Sequence, residues 1–253
     1  MTDSRTPATL RALHRPGDPL MLPNAWDAGS ARAVAAAGFP AVATSSAAVA
    51  ESLGHADGEA TPVAEMLDAV ARVVRSVPVP VTADLERGYG LRPAELVDRL
   101  LATGAGGLNL EDSDPRTKRV CDVDEQAELL AAVRAAAGPD LVVNARVDVF
   151  LRATGEHAAG FDEAVGRARR YRAAGADCVY PIMLADPELI GRFVAAVDGP
   201  VNVLLRPGTP GVAELARLGV ARVSLGSGVY DAARRRAAEV LTALAAGGNP
   251  FTG

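Results

Sequence analysis

The sequence predicts an α/β chain folded as a single (β/α)8 TIM-type barrel. Three observations predict it. Four alanine-rich helical segments end in a glycine, at Gly38, Gly104, Gly175 and Gly219, and pass within three residues into an apolar strand. Glycine there suits the left-handed residue that closes a helix. Three further strands are announced by proline, at Pro78, Pro139 and Pro200, because proline tolerates a strand's first position. With the opening segment at 20–24 the strand candidates number eight, each followed by a helix candidate. Strict alternation implies parallel strands with crossover helices. Eight units in 253 residues fit a closed barrel better than an open doubly wound sheet, the arrangement that alternation alone leaves as the alternative.

In chain order, a polar lead of about residues 1–18 is broken by Pro7, Pro16 and Gly17. Helices are expected at 28–37, 62–76, 93–103, 124–137, 161–174, 186–196, 211–218 and 229–246. No linker interrupts the repeat, so residues 1–253 read as one domain. The chain is 49% hydrophobic and 23% charged without a biased run, which is a globular composition. Net charge is -5, and lysine and arginine never form a stripe, so nucleic acid is not an expected partner. No stretch resembles a signal peptide or is long enough to span a bilayer; no membrane partner is expected and the expected location is the cytoplasm. Cys121 and Cys178 match no zinc spacing and read as free thiols.

In a parallel barrel the chemistry belongs at the carboxyl ends of the strands, which share one mouth. The polar residues fall there: Asn24 and Asp27, then Ser45 and Ser46, then Asp84 and Glu86, then Glu111 and Asp112. Later strands exit through Asn144, Arg146 and Asp148, through Asn202 and Arg206, and through Ser224 and Ser227. Asp84 and Glu86 are two apart, a spacing that turns both carboxylates to one side of a strand. With Glu111 they make three acids that would repel unless a cation or protons neutralised them, and all-oxygen ligation suits magnesium. The same acids could instead be caps or salt-bridge partners, Arg87 being adjacent. Arg146 reads as a fork for a carboxylate or phosphate, or else as a structural partner of Asp148 or Glu111. Ser45 and Ser46 begin a loop whose amides could bind an anion. No nucleophile triad emerges from His14, His55 and His157. RPGTPG and GSG after the last two strands read as ordinary turns rather than phosphate loops.

With these residues placed, the chain resembles the isocitrate lyase and phosphoenolpyruvate mutase superfamily over nearly its whole length. The resemblance runs through LPNAWDAGSA, SSAAVAESLGHADGE, TADLERGYG, GLNLEDSDPRTKR, VVNARVDVFL and SLGSGVYDAARR. It implies a barrel enzyme that binds magnesium, with manganese as the alternative metal. Such enzymes form or consume an enolpyruvate-like species from small 2-oxo or 2-hydroxy carboxylates, and they are homo-oligomers. It further implies metal-site carboxylates at Asp84, Glu86 and Glu111, ligating largely through water. Glu86 stands where the family usually has an aspartate. Asp57 in GHADGE corresponds to an acid beside the reacting centre, Ser45 and Ser46 to the carboxylate cradle, and Arg146 to the carboxylate-binding arginine. Asn202 faces the mouth likewise, and Lys118 reaches the substrate.

The departures bear on the reaction. The lyases' Lys-Lys/Arg-Cys-Gly-His segment reads Lys118-Arg119-Val120-Cys121-Asp122, so Cys121 is displaced by one residue and reads as an ordinary thiol at a helix entry. The paired-asparagine loop of the mutase is missing. Tyr180-Pro181-Ile182 replaces the lyases' glutamate after the sixth strand. The resemblance therefore implies a magnesium-dependent lyase that cleaves a carbon–carbon bond. The alternatives are phosphonopyruvate-type carbon–phosphorus chemistry and a non-catalytic dicarboxylate-binding homologue.

Overall fold

A computed structural model describes residues 6–251; the first five residues of the expected lead and the last two of the chain lie outside the described residues. The strands are β1 (Leu20–Leu22), β2 (Asn24–Ala25), β3 (Val42–Thr44), β4 (Val81–Asp84), β5 (Gly107–Glu111), β6 (Val142–Val147), β7 (Cys178–Pro181), β8 (Asn202–Leu204) and β9 (Arg222–Ser224). They pair in the orders β2-β3-β4-β5-β6-β7 and β1-β9-β8, and every ladder is parallel. Two links join these runs into one ring. β1 and β2 are halves of one barrel strand split at Pro23, which has no N–H to give a ladder, while its carbonyl accepts from the Ala43 amide at 3.1 Å. On the other side Val179 bridges to Val201, just ahead of β8. The strands thus close as a barrel with eight staves, as the alternation predicts.

The principal helices lie within a residue or two of expectation: α2 (Ala28–Ala36), α4 (Val63–Ser76), α5 (Pro93–Thr103), α6 (Val123–Ala137), α8 (Phe161–Ala173), α9 (Pro187–Ala196), α10 (Val212–Arg217) and α11 (Gly228–Ala245). Local chemistry sets several starts. The Asp27 carboxylate accepts from the Ser30 amide at 2.7 Å in a capping box, Asp122 caps α6, and Asp186 caps α9 ahead of Pro187. Asp27 is thereby a helix cap rather than a mouth residue. Gly104 closes α5 at φ 83°, the left-handed turn its sequence position implies. α4 turns Met66, Leu67, Val70, Val73 and Val74 into the core, each contributing about 1.5–3 kcal/mol if its burial is complete.

Three short helices were not expected. α1 (Pro7–Ala12) sits in the supposedly polar lead, and its Leu10 is buried against Leu20, Leu22, Ala41, Ala43 and Val142. Arg11 fixes it by donating to Asp177 at 2.9 Å and to the Leu141 carbonyl at 2.8 Å. α1 is therefore a plug under the amino ends of the strands, and His14 behind it is buried. α3 (Ser46–Ser52) starts directly at the end of β3, where a loop was expected; Ser45 caps it. α7 (Val149–Arg152) follows β6. At the other extreme, α11 has no buried residue and leaves Leu241 66% exposed, held to the barrel by the Trp26–Tyr230 ring contact and the Arg234–Glu51 ion pair.

Candidate active site

A cavity of about 190 Å³ opens at the carboxyl ends of the strands, lined among others by Ser46, Asp57, Asp84, Asn109, Arg146 and Tyr180. The β3–α3 junction supplies its first corner. Because α3 begins at Ser46, that residue's amide is free of intrahelical bonding and faces the mouth. It donates to Asp84 Oδ2 at 3.0 Å, and the Ser46 hydroxyl donates to the same oxygen at 2.8 Å. The cradle expected for a substrate carboxylate thus already holds a carboxylate, that of Asp84. Ser45 also lines the cavity while it caps α3, its hydroxyl accepting from the Ala48 amide at 3.4 Å.

Asp84 is the last residue of β4, but Glu86 lies beyond the strand in left-handed backbone, at φ 49°. Strand alternation does not govern it, so the two-residue spacing does not set its direction. Glu86 is instead gripped by its own loop system: Tyr89 Oη donates to Oε1 at 2.7 Å and the Glu59 amide to Oε2 at 2.7 Å. Glu59, itself at φ 60°, accepts from the amides of Tyr89 at 2.7 Å and Arg87 at 3.1 Å. Burial pushes Glu86 up to about 7; the Tyr89 hydrogen bond opposes this and the charges of Asp57 and Asp84 add to it. Glu59 and Tyr89 are site residues that the residue pattern did not single out; their flanking glycines, Gly58 at φ 100°, Gly88 at 99° and Gly90 at 64°, were the available signal.

Glu111 ends β5 and stands in register with Arg146 on β6, which explains why the two side chains meet in an ion pair. Arg146 also grips the fully buried Asp148 with both tines, Nε to Oδ1 at 2.6 Å and Nη2 to Oδ2 at 2.9 Å. The structural-partner reading of Arg146 is therefore realised, and Arg146 still lines the cavity. Burial pushes the Glu111 carboxyl up while Arg146 pulls it back. Burial opposes the charge on Arg146 but Asp148 and Glu111 outweigh it, holding its pKa well above the ordinary arginine range. Arg87, the nearest competitor for the acids, pairs with Glu125 and Gln126 instead. Asp112 faces away from the mouth: it takes the Asp148 amide at 2.8 Å and Tyr171 Oη at 2.7 Å, and burial raises it to about 6.

The remaining expected residues are placed less centrally. Asp57 is exposed and lines the cavity. Lys118 is an exposed residue at φ 57° whose ammonium lies against Gly58, so it clasps two rim loops rather than lining the cavity. Asn202 is fully buried below the mouth and bonds to Ser224 Oγ at 3.1 Å; Ser224, not Asn202, reaches the cavity wall. Cys121 begins the entry to α6, its amide bonded to the Asp112 carbonyl at 2.7 Å, and burial raises its thiol pKa. Asn109 forms part of the floor; below it Asn144 donates to Asn109 Oδ1 at 2.8 Å and the buried Arg222 does so at 3.1 Å.

Across the mouth Glu86 feels the charges of Asp57 and Asp84, and Glu111 those of Asp84 and Glu86. Among the described residues no three acids, histidines or cysteines are arranged to hold an ion directly. The donor chemistry, hard oxygen crowded against oxygen, fits a divalent cation held largely through its own water shell. No helix of the described residues is long and apolar enough to cross a membrane.

A closed parallel barrel whose strand ends gather acids, serines and an arginine around a small cavity has the layout in which barrel proteins carry their functional sites. Comparison with known proteins agrees: the chain belongs to the phosphoenolpyruvate phosphomutase family, whose model matches residues 10–245, within the isocitrate lyase and phosphoenolpyruvate mutase superfamily. An uncharacterized protein of Mycobacterium tuberculosis is 38% identical, the match covering 93% of this chain and 88% of the relative. A crystal structure of a candidate phosphonomutase from Burkholderia cenocepacia J2315 superposes with TM-score 0.90 at 47% identity, covering 94% of this chain and 99% of that one. The structure of 2,3-dimethylmalate lyase superposes with TM-score 0.84 at 26% identity, covering 100% and 91%. The superfamily includes lyases, mutases and a decarboxylase, so membership by itself does not select the bond that is broken.

Proposed function

We propose that this chain is a divalent-metal-dependent lyase that cleaves a carbon–carbon bond of a small 2-oxo or 2-hydroxy carboxylate through an enolpyruvate-like species. The observation that carries the reading is the Ser46 corner, where an amide and a hydroxyl converge on one carboxylate oxygen inside a cavity that Arg146 also lines. Such a corner takes a substrate carboxylate once Asp84 turns toward a cation. Asp84, Glu86 and Glu111 would hold that ion, magnesium or manganese, which when bound supplies Lewis-acid stabilisation of the charge that develops as the bond breaks. The protein's own part is positioning and exclusion of water. Ser46 and Arg146 orient the carboxylate, Asp148 fixes the angle of the Arg146 fork, and Tyr89 with the Glu59 amide fixes Glu86. Asn202 acts through Ser224. Asp57, exposed at the rim, is placed to hand a proton to or from the reacting carbon, and Lys118 to keep the two rim loops together.

Carbon–phosphorus chemistry is the second reading, favoured by the family description and by the Burkholderia relative. An assay of 2-oxo acid release from a panel of 2-oxo and 2-hydroxy acids and phosphonopyruvate, with magnesium and with chelator, separates the two. Chelator-sensitive release from a phosphorus-free acid supports the lyase; turnover confined to phosphonopyruvate replaces it with the second reading. Binding of oxalate without turnover of any acid would favour a binding protein. The apolar residues exposed on α11 support assembly into a homo-oligomer, which sedimentation equilibrium tests.

A further inference from the structure

Tyr180 and Arg222 are interior residues whose chemistry the reading above leaves unused. Tyr180 on β7 is in register with Arg146 on β6, so the two side chains project inward side by side from strands about 4.8 Å apart, and both line the cavity. β7 stands four staves round the ring from β3, which puts the phenol across the cavity from the Ser46 corner. At about 190 Å³ the cavity is small enough that an acid held at Ser46 and Arg146 lies against Tyr180. Asp57, which follows α3, belongs to the Ser46 side.

Arg222 opens β9 two residues before Ser224, so strand alternation turns both inward, with Arg222 one layer below the cavity wall. It is fully buried, and among the described residues no acid pairs with it and its Nε and Nη1 find no partner. A buried cation left in this way is costly unless a negative charge arises beside it. The side chains whose charge reaches it are Cys178, Tyr180 and Asp84. Of these, Cys178 does not line the cavity and Asp84 is held by Ser46, whereas Tyr180 lines it and gains a charge by giving up a proton. Burial pushes the phenol up to about 12, and Asp84 adds to this; Arg146, a hydrogen bond with Ser224 and Arg222 all favour the phenolate.

We infer that Tyr180 is the acid that protonates the reacting carbon of the enolpyruvate-like species, with Arg222 as a positioning residue that, together with Arg146, steadies the phenolate left behind. The inference rests on the carboxylate-site reading above and adds a proton donor on the inner wall, across the cavity from the rim acid Asp57. The step balances without an oxidant or reductant. The enolate's carbon–carbon π pair forms the new C3–H bond, the phenol O–H breaks with its electrons staying on oxygen, and solvent water returns a proton to the phenolate, leaving hydroxide.

Enolpyruvate, released in place from phosphoenolpyruvate by an added phosphatase, tests the step in the direction in which the proton is given. Its ketonisation is followed by ultraviolet absorbance with the intact protein and magnesium against a protein-free control, and oxalate affinity is measured alongside by calorimetry. The expected result is that wild type speeds ketonisation and that Tyr180→Phe lowers the acceleration by about 10²-fold or more while still binding oxalate. Arg222→Met is expected to lower it about tenfold and Arg222→Lys to restore most of it, a rescue that a merely structural arginine would not show. Acceleration undiminished in Tyr180→Phe, or lost there together with oxalate binding, overturns the inference; if Asp57→Asn abolishes it instead, the donor is Asp57. Should Tyr180→Phe fail to fold, undiminished acceleration in Arg222→Met overturns the inference. Oxalate binding to wild type without any acceleration overturns it and leaves the site reading intact, whereas failure of oxalate to bind overturns both.

Discussion

Arg146 and Arg222 are both buried inside the barrel, yet they live in opposite surroundings. Arg146 meets the carboxylates of Asp148 and Glu111, and its pKa is held up against burial. The side chain of Arg222, fully buried, makes one hydrogen bond among the described residues, to the amide oxygen of Asn109, while its Nε and Nη1 find no partner there and burial lowers its pKa. The difference teaches where the fold has invested its charge. At the mouth each charge is met by another and oriented for use; lower down, a guanidinium is held at a cost by a polar layer of Asn109 and Asn144 that serves as the cavity floor. Burying a cation is expensive unless it is paired, so the two arginines should respond oppositely to removal.

The largest effect belongs to the mouth. Asp84→Ala removes an acid from the cavity and is expected to lower metal-dependent turnover by about 10³-fold, with the melting temperature nearly unchanged because Asp84 is only half-buried. Steady-state kinetics with a matched thermal melt check it, and retained turnover sinks the site assignment. Next, Arg146→Ala leaves the fully buried Asp148 with the Arg152 guanidinium, 4.0 Å away, as its remaining ion-pair partner among the described residues; the expected cost is about 3–5 kcal/mol in urea unfolding, with oxalate binding abolished. Arg222→Met, by contrast, replaces a mostly unpartnered guanidinium by an apolar chain of similar length; the expected change is between zero and about 4 kcal/mol of added stability. A loss of several kcal/mol there would mean the two orphan nitrogens are satisfied, and the contrast would collapse.

The smallest effect at neutral pH comes from His14, beneath the barrel. Its Nδ1 lies 2.8 Å from the Leu10 carbonyl and its Nε2 has no partner among the described residues. Burial first, then the charge of Arg222, lowers its pKa from 6.5 to about 4. The unfolded chain therefore binds more protons between those values, so this contribution is fully present above about pH 6.5 and is lost as pH falls toward 4. The gap corresponds to roughly 3 kcal/mol at the acid end. Unfolding free energies across that window, in wild type and His14→Gln, should show the slope shrink in the variant. Arg222→Met should also raise the His14 pKa measured by NMR, since one of the charges lowering it is gone.

Much of the barrel was legible because its signals are local. A glycine closing a helix and a proline opening a strand each act within a few residues, and their alternation counts the staves. What escaped depends on contacts across the chain. α3 is seven residues long, too short for a periodic signal, and it converts the Ser45–Ser46 segment from a loop into a cap and a helix amide. The lead reads as polar because, among its described residues, Leu10 is the apolar side chain that is fully buried. Asp84, Arg146 and Glu111 could be placed at strand ends from spacing and resemblance, but the grip of Glu59 and Tyr89 on Glu86 runs through left-handed backbone at three non-glycine positions, which no residue pattern announces. Asn202 opens β8 instead of ending it, level with the buried Arg222 on β9, so it lies below the mouth; where a strand starts in depth is set by its pairing, which the sequence does not display.

The most direct test of the central claim is a crystal structure of the protein with magnesium and oxalate. The account predicts oxalate inside the cavity, accepting from the Ser46 amide and from Arg146, with Asp84 withdrawn from Ser46 toward the ion. Oxalate outside the cavity, or Asp84 still on the Ser46 amide with the ligand bound elsewhere, would contradict it.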